Sequence, residues 1–247
     1  LTMNAHESMI LLDLAQSSKV FLMEAYMYRT HPQTLNILNN LNALKTSNKK
    51  ILIKGSFGFK ANVDKNHRLR NPALGGGAIL DVGCYPLSMS KLIAGHLQGL
   101  PFAEPKSIEA TGRIDETGVD LQSSAHLVFS DTIDATISCA IDEELPNTLV
   151  ISNGEISITA TDPWHCGQSQ NGNSFITLAN GSGPTKEIPF KDSLGLFARE
   201  IEHASKCILE KKIESNFITH SDTQSNMFWL DQWRQKIGIV CPKNSIE

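Results

Sequence analysis

In separate runs between Ile51 and Phe190, apolar residues recur at every second position, and that period limits the fold more than any other feature of the chain. Ile51, Ile53, Phe57, Phe59 and Ala61 share one parity, while Lys54, Ser56 and Lys60 share the other. Successive side chains of a strand point to opposite sides, so this alternation describes a sheet with one buried face and one polar face. The pattern returns at 107–114, 119–129 and 132–141. In the last of these, Ile133, Ala135, Ile137, Cys139 and Ile141 alternate with Thr132, Asp134, Thr136 and Ser138. Asn153-Gly154 separates two such runs and is a strong hairpin signal. Further strands fit 174–179 and 186–190. Short connections and one-sided patterning predict a largely antiparallel sheet with helices on one face.

The first fifty residues read differently. Asn4 and Glu7 have capping-box spacing, and Met9, Leu12 and Ala15 share a helical face. VFLMEAYMY at 20–28 is short and nearly all apolar, as expected of a strand buried on both sides in a parallel sheet. A helix feeding such a strand has the form of the tail end of an α/β domain. A second helix is predicted over Thr30–Lys45, with Pro32 in its first turn and Leu35, Leu38 and Leu41 on one face. Two helices close the chain. Phe197, Ile201, Ala204 and Ile208 follow helical spacing in one. In the other, Ser221 and Gln224 form a capping box, Met227, Leu230 and Ile237 follow, and Gly238 is the stop. The expected class is α+β: a large, mostly antiparallel open sheet with helices on one face, plus a helix–strand unit of α/β type ahead of it. Loops are expected at 62–76 and 162–173.

Composition excludes several classes of function. Hydrophobic residues make up 40% and charged residues 19% of 247, enough apolar material for a core and against general disorder. A net charge of -4 is not that of a nucleic-acid binder. No apolar run approaches the roughly 18 residues of a membrane span, and the start lacks the basic and apolar regions of a signal peptide. Cys84, Cys139, Cys166, Cys207 and Cys241 are scattered without a C-x-x-C pair, which predicts reduced thiols in a cytoplasm-like compartment. None of the eight histidines has another three or four residues away, so no metal site is expected.

The segment richest in chemical groups is GGGAILDVGCYP, residues 75–86. Its helical spacing puts Asp81 and Tyr85 on one face. A tyrosine paired with a carboxylate can exchange a proton with a hydroxyl or carbonyl, provided a cation lowers its titration from near 10. The plainer alternative is a core aromatic with a carboxylate at a helix start. Pro86 predicts a kink or boundary here. The glycines match neither dinucleotide-binding nor Walker spacing. Cys84 points to another side of the helix and reads as a small core residue. Trp164 and His165 lie in a loop, lining a pocket or plugging a core edge.

Together, EAYMYRTHP (24–32), GSFGF (55–59), LGGGAILDVGCYPLS (74–88) and SNMFWLDQWRQKIGI (225–239) resemble the Gfo/Idh/MocA oxidoreductase family over most of the chain. Tyrosine in D-x-x-x-Y is similar to the glucose–fructose oxidoreductase and dimeric dihydrodiol dehydrogenase branch. The resemblance implies a Rossmann domain that binds NAD or NADP, and a second domain whose open sheet supplies the substrate pocket and an oligomer interface. It matches Tyr85 to the catalytic tyrosine and Asp81 to its assisting carboxylate. It also implies that residues 1–30 are the end of the dinucleotide-binding domain and 31–247 the substrate and oligomerisation domain. The family's E-K-P lysine and G-x-G-x-x-G turn have no counterpart; E-K-P would fall just before Leu1. The implied parent oxidises a sugar or diol hydroxyl, and the chain alone is expected to be inactive. Arg29 and His31, beyond the carboxyl end of the 20–28 strand, are expected to border the cofactor cleft. Met27, Trp164 and His165 are expected to supply its substrate wall. The polar sheet face, with Thr132, Thr136, Ser138 and Ser124, is expected to form a homodimer about a two-fold axis. The competing reading is a non-catalytic dimerisation or binding module using that same face.

Overall fold

The computed structural model describes residues 1–46, 49–167, 173–181, 183–192 and 194–240. The alternating segments become eight strands: β1 (Ile51–Gly58), β2 (Ser107–Ile114), β3 (Asp120–Ser130), β4 (Ile133–Ala140), β5 (Thr148–Ser152), β6 (Ile156–Thr161), β7 (Asn173–Asn180) and β8 (Lys186–Lys191). They form one open sheet in the order β2-β3-β4-β1-β5-β6-β7-β8. Every pairing is antiparallel except β1 with β4, where Ile53 stands opposite Ala135 and Phe57 opposite Cys139. Asn153 turns the β5–β6 hairpin by accepting the amides of Glu155 and Ile156.

Inward residues of one parity form a continuous core: Ile53, Ile137, Ile151, Ile158 and Ile176 are buried. Each contributes about 1.5–3 kcal/mol relative to an exposed position. Helices α3 (Cys84–Gln98) and α5 (His220–Lys236) lie over this face, α3 against β1 and β4 and α5 against β2. The opposite face is rich in hydroxyls. Ser124 and Ser138 share a hydrogen bond of 2.8 Å, and Asp134 meets His126 and Lys50 at 3.0 and 2.6 Å.

Helix α1 (Ala5–Ser18) is capped by Asn4, whose Oδ1 accepts the Glu7 amide at 2.9 Å. Glu7 reaches back to the Met3 amide at 3.0 Å, so the predicted box closes one residue early. The expected strand at 20–28 does not form a ladder among the described residues. Residues 20–26 run extended, Leu22 bonds by its N–H to the Ile213 carbonyl and by its carbonyl to His220, and Met27–Thr30 coil into a 3-10 turn. A strand exists only with a partner for its backbone groups, and no sheet strand runs beside this segment. The predicted 30–45 helix is α2 (Pro32–Asn40), followed by a 3-10 turn over Leu41–Thr46. The cap of helix α5 lies two residues before the predicted one, because Thr219 Oγ accepts the Asp222 amide. Gly238 follows it at φ 91°, as a helix stop requires. Helix α4 (Ala198–Leu209) turns inward a face holding Glu200 and Cys207, while Phe197, Ile201 and Ile208 are exposed. The loop 62–76 carries two 3-10 turns, and residues 168–172 of the second expected loop lie outside the described residues. No described helix is long and apolar enough to cross a membrane.

Candidate active site

The helix that carries Asp81 and Tyr85 starts with a wide turn. Ile79–Gly83 is a π turn that runs into α3. Pro86 explains it: the ring lacks an N–H and crowds the carbonyl four residues back, and a widened turn relieves that crowding. The turn is anchored by Asp120 of β3, which is buried and accepts the Ile79 amide at 2.6 Å. Burial raises the Asp120 carboxyl to about 7, against the pull of the Ile79 and Ala78 amides. Gly77 sits at φ 111°, and a Cβ there would collide with Asp120 Oδ1. The glycine run therefore seats a carboxylate against the helix start, which leaves no cradle for a phosphate.

Asp81 and Tyr85 line one cavity of about 570 Å³, together with Met23, Glu24, Tyr26 and Cys84. Leu1 and Met3 also line it. Asp81 pairs with Arg68 at 2.7 Å, but the arginine is mostly exposed, so the pair positions more than it stabilises. The Tyr85 ring packs edge-on against Phe57 (5.2 Å) and Tyr26 (5.4 Å) and tilts against Tyr28 (5.7 Å). Tyr28 also donates its hydroxyl to the Tyr85 carbonyl at 3.2 Å. Burial first, and then the neighbouring Cys84, Asp81, Glu200 and Glu24, push the Tyr85 phenol well above its ordinary range. The Tyr85 hydroxyl therefore keeps its proton, with its ring held among Tyr26, Tyr28 and Phe57. It acts as a base only when a cation stands beside it. Burial also pushes the Cys84 thiol up to about 12, which rules it out as a nucleophile at neutral pH.

Residues 49–161 match the family model of the Gfo/Idh/MocA C-terminal domain. The chain is 30% identical over 245 residues to the trans-1,2-dihydrobenzene-1,2-diol dehydrogenase of Danio rerio, covering 99% of this chain and 70% of that protein. The chain belongs to the Gfo/Idh/MocA oxidoreductase family. The human dihydrobenzenediol dehydrogenase is 26% identical, with 98% and 69% covered. Among solved structures, a 3-ketoreductase from Actinomadura kijaniata in complex with NADP and TDP-benzene superposes with a TM-score of 0.78 at 17% identity over 96% of this chain and 69% of that one. An aldose–aldose oxidoreductase from Caulobacter crescentus gives 0.78 at 16%, over 95% and 67%. At these identities the structural likeness concerns the fold.

Within this Gfo/Idh/MocA chain the other sequence-predicted residues lie away from the cavity. Arg29 turns inward on the 3-10 turn, and its guanidinium bonds Asp222 Oδ2 (2.6 Å), the Phe217 carbonyl (2.8 Å) and Ser88 Oγ (2.9 Å). His31 caps α2, with Nδ1 accepting the Gln33 amide and Nε2 at 3.3 Å from Asp192. Burial lowers its imidazole below the ordinary value. Met27 is buried outside the cavity lining. Trp164 is fully buried, donates to the Ser56 carbonyl at 2.8 Å, and backs the Tyr85 ring at 6.3 Å without reaching the cavity. His165 is half exposed and pairs with Asp162. Four of these five depart from expectation for one reason: the 27–31 turn and the Trp164 loop point their side chains into packing that sequence spacing does not reveal.

The sequence reading missed Glu24 and Arg68, which also line the cavity. Glu24 carried a signal, since a carboxylate inside a nearly all-apolar run needs a reason to be there. On α4 the stripe of Phe197, Ile201 and Ile208 faces solvent. The described cysteines Cys84, Cys139, Cys166 and Cys207 are free and buried; Cys241 lies outside the described residues. No group of histidines, cysteines and carboxylates among the described residues could hold a metal.

Proposed function

We propose that this chain is the substrate-side portion of an NAD(P)-dependent oxidoreductase acting on a hydroxyl of a sugar or diol, with Tyr85 as the group that exchanges the proton. The cavity shared by Tyr85 and Asp81 carries this reading, and the names and bound molecules of the relatives support it. A nicotinamide dinucleotide, when bound, supplies the hydride acceptor. The residues present fit the reacting end of such a cofactor, because Tyr85 lines a cavity whose wall also holds Tyr26, Met23 and Met227 beside Asp81 and Arg68. They do not fit its phosphates: Asp120 occupies the glycine-rich helix start, and Arg29 is committed to Asp222.

In the reducing direction Tyr85 donates its phenolic proton to the carbonyl oxygen. Burial and the surrounding carboxylates keep the phenol protonated, but they also disfavour the tyrosinate left behind, so a cation is needed in this direction too. In the oxidising direction the phenol must first be lowered by a cation. Leu1, Thr2 and Met3 line the cavity, so a lysine just ahead of Leu1 would reach Tyr85. Residues 1–30 then belong with a preceding dinucleotide-binding domain, and the unpaired extended segment 20–26 is where its sheet would continue. The same reading gives a homodimer through the hydroxyl-rich sheet face, in the cytoplasm.

The test is NAD(P)H formation from aldoses and vicinal diols by the chain joined to its upstream domain. Tyr85→Phe is expected to lower kcat by at least about 10²-fold with unchanged cofactor binding. Full activity in Tyr85→Phe removes the assignment. A monomer in sedimentation at high protein concentration removes the dimer.

A further inference from the structure

Glu24, Asp134, Asp142 and Glu200 each keep a carboxylate oxygen buried without a hydrogen-bond partner among the described residues. Of these, Glu24 alone lines the cavity of Tyr85 and Asp81. Its side chain is 8% exposed, inside a nearly all-apolar run, where an unmatched charge is costly unless a ligand meets it. Of the other charged side chains in the lining, Arg68 meets Asp81 at 2.7 Å, so the two offset each other. Glu24 Oε1 accepts from the Leu1 nitrogen at 3.1 Å. As a peptide amide, in the chain joined to an upstream domain, that nitrogen still donates one N–H but brings no charge. Glu24 then keeps a spare oxygen and an unmatched charge, and a half-turn about its last torsion exchanges the two oxygens. The wall around it is aromatic and polarisable: Tyr26, whose ring stands edge-on to Tyr85 at 5.4 Å, with Met23 and Met227. The ligand that answers this wall and this charge is a planar aromatic cation carrying N–H donors.

Resting on the oxidoreductase reading above, we infer that Glu24 is the binding residue for the oxidised nicotinamide ring: its carboxylate accepts the carboxamide N–H, and its charge favours the pyridinium over the neutral dihydropyridine. The reacting atoms of substrate and cofactor stand about 3–3.5 Å apart. The reacting carbon of the ring neighbours the carbon that bears the carboxamide. With Tyr85 at the substrate oxygen, the carboxamide therefore lies in the cavity that Glu24 and Tyr85 share. An acceptor-only group is what a carboxamide N–H requires. A fixed negative charge beside the ring also separates the two redox forms, because only one of them carries a positive charge to meet it.

The experiment uses the protein joined to its upstream domain. Calorimetry gives Kd for NAD or NADP, whichever binds more tightly, in both redox states, and for its oxidised 3-acetylpyridine analogue, which keeps the pyridinium charge and lacks the carboxamide N–H. Glu24→Gln keeps an acceptor and removes the charge. It is expected to lower the ratio of reduced to oxidised Kd about tenfold and to leave the ratio of acetyl to carboxamide Kd unchanged. Glu24→Met removes the acceptor as well, and is expected to lower both ratios about tenfold. The inference falls if all three ligands weaken by one factor, as loss of a structural contact would give. It falls equally if Glu24→Met changes the redox ratio alone, which would assign Glu24 to a neighbouring cation. Cofactor reduction by aldoses and vicinal diols, measured in the same samples, separates the two readings. Both ratios changing as stated without turnover refutes the oxidoreductase and keeps the Glu24 contact. Turnover with unchanged ratios refutes Glu24 alone, and a protein that binds neither dinucleotide refutes both.

Discussion

Replacing Arg29 with methionine separates a role in folding from a role at the cofactor. Its position after an apolar run suggests the cofactor cleft, while its contacts make it part of the interior. The arginine and Asp222 side chains are 2% and 3% exposed and meet at 2.6 Å. Methionine fills most of the volume, so little cavity is created, and the loss is electrostatic. Asp222 would keep only Lys91, at 3.5 Å, and the Phe217 carbonyl would lose its donor. Breaking a buried pair from one side costs about 3–5 kcal/mol, and the orphaned carbonyl overlaps with that figure rather than adding to it in full. Against a total stability of about 5–15 kcal/mol for a domain, this is a large fraction. Arg29→Lys is the graded companion: it keeps the charge and loses the fork, with an expected loss of about 1.5–3 kcal/mol, that of a hydrogen bond to a charged group. Urea unfolding of the chain, followed by tryptophan fluorescence, reads both values. The refuting result is a loss below about 1 kcal/mol in Arg29→Met together with a weakened affinity for NADP in the protein joined to its upstream domain. That outcome would return Arg29 to the cofactor.

Two further perturbations address the helix that carries the candidate site. A Cβ at Gly83 would lie 3.0 Å from Cys139 Sγ and 3.2 Å from the Trp233 ring, both buried, so Gly83→Ala is expected to destabilise by about 1–3 kcal/mol despite its better helix propensity; an unchanged Tm would refute the close approach. Asp120 holds its proton in the fold up to about 7, against 3.8 ordinarily, so the native state binds the extra proton and its contribution fades as pH rises from about 4 to 7. Asp120→Asn keeps an oxygen for the Ile79 amide and cannot ionise. Its stability relative to the parent is expected to grow by a few kcal/mol across that window, and parallel urea midpoints from pH 4 to 7 would refute the burial of a proton there.

Strand positions were legible because their information is local. Alternation along 133–141 decides which side chains share a face before any partner is known, and the observed β4 follows it. The spacing of Asp81 and Tyr85, and the stop at Gly238, are local in the same sense. Pairing is not. The parallel contact of β1 with β4 joins residues some eighty positions apart, and the strand expected at 20–28 stays unpaired because pairing depends on what lies beside it. Charges depend still more on distant chain. Arg29 finds Asp222 across 193 positions, and Asp120 reaches back 41 to cap the turn at Ile79. Spacing shows that a charged residue exists and on which side of its element it falls. Only the tertiary structure decides whether a buried charge meets a counter-charge, as Arg29 does, or stands without one, as Glu200 does, because desolvation and pairing are properties of the assembled surroundings rather than of the residue.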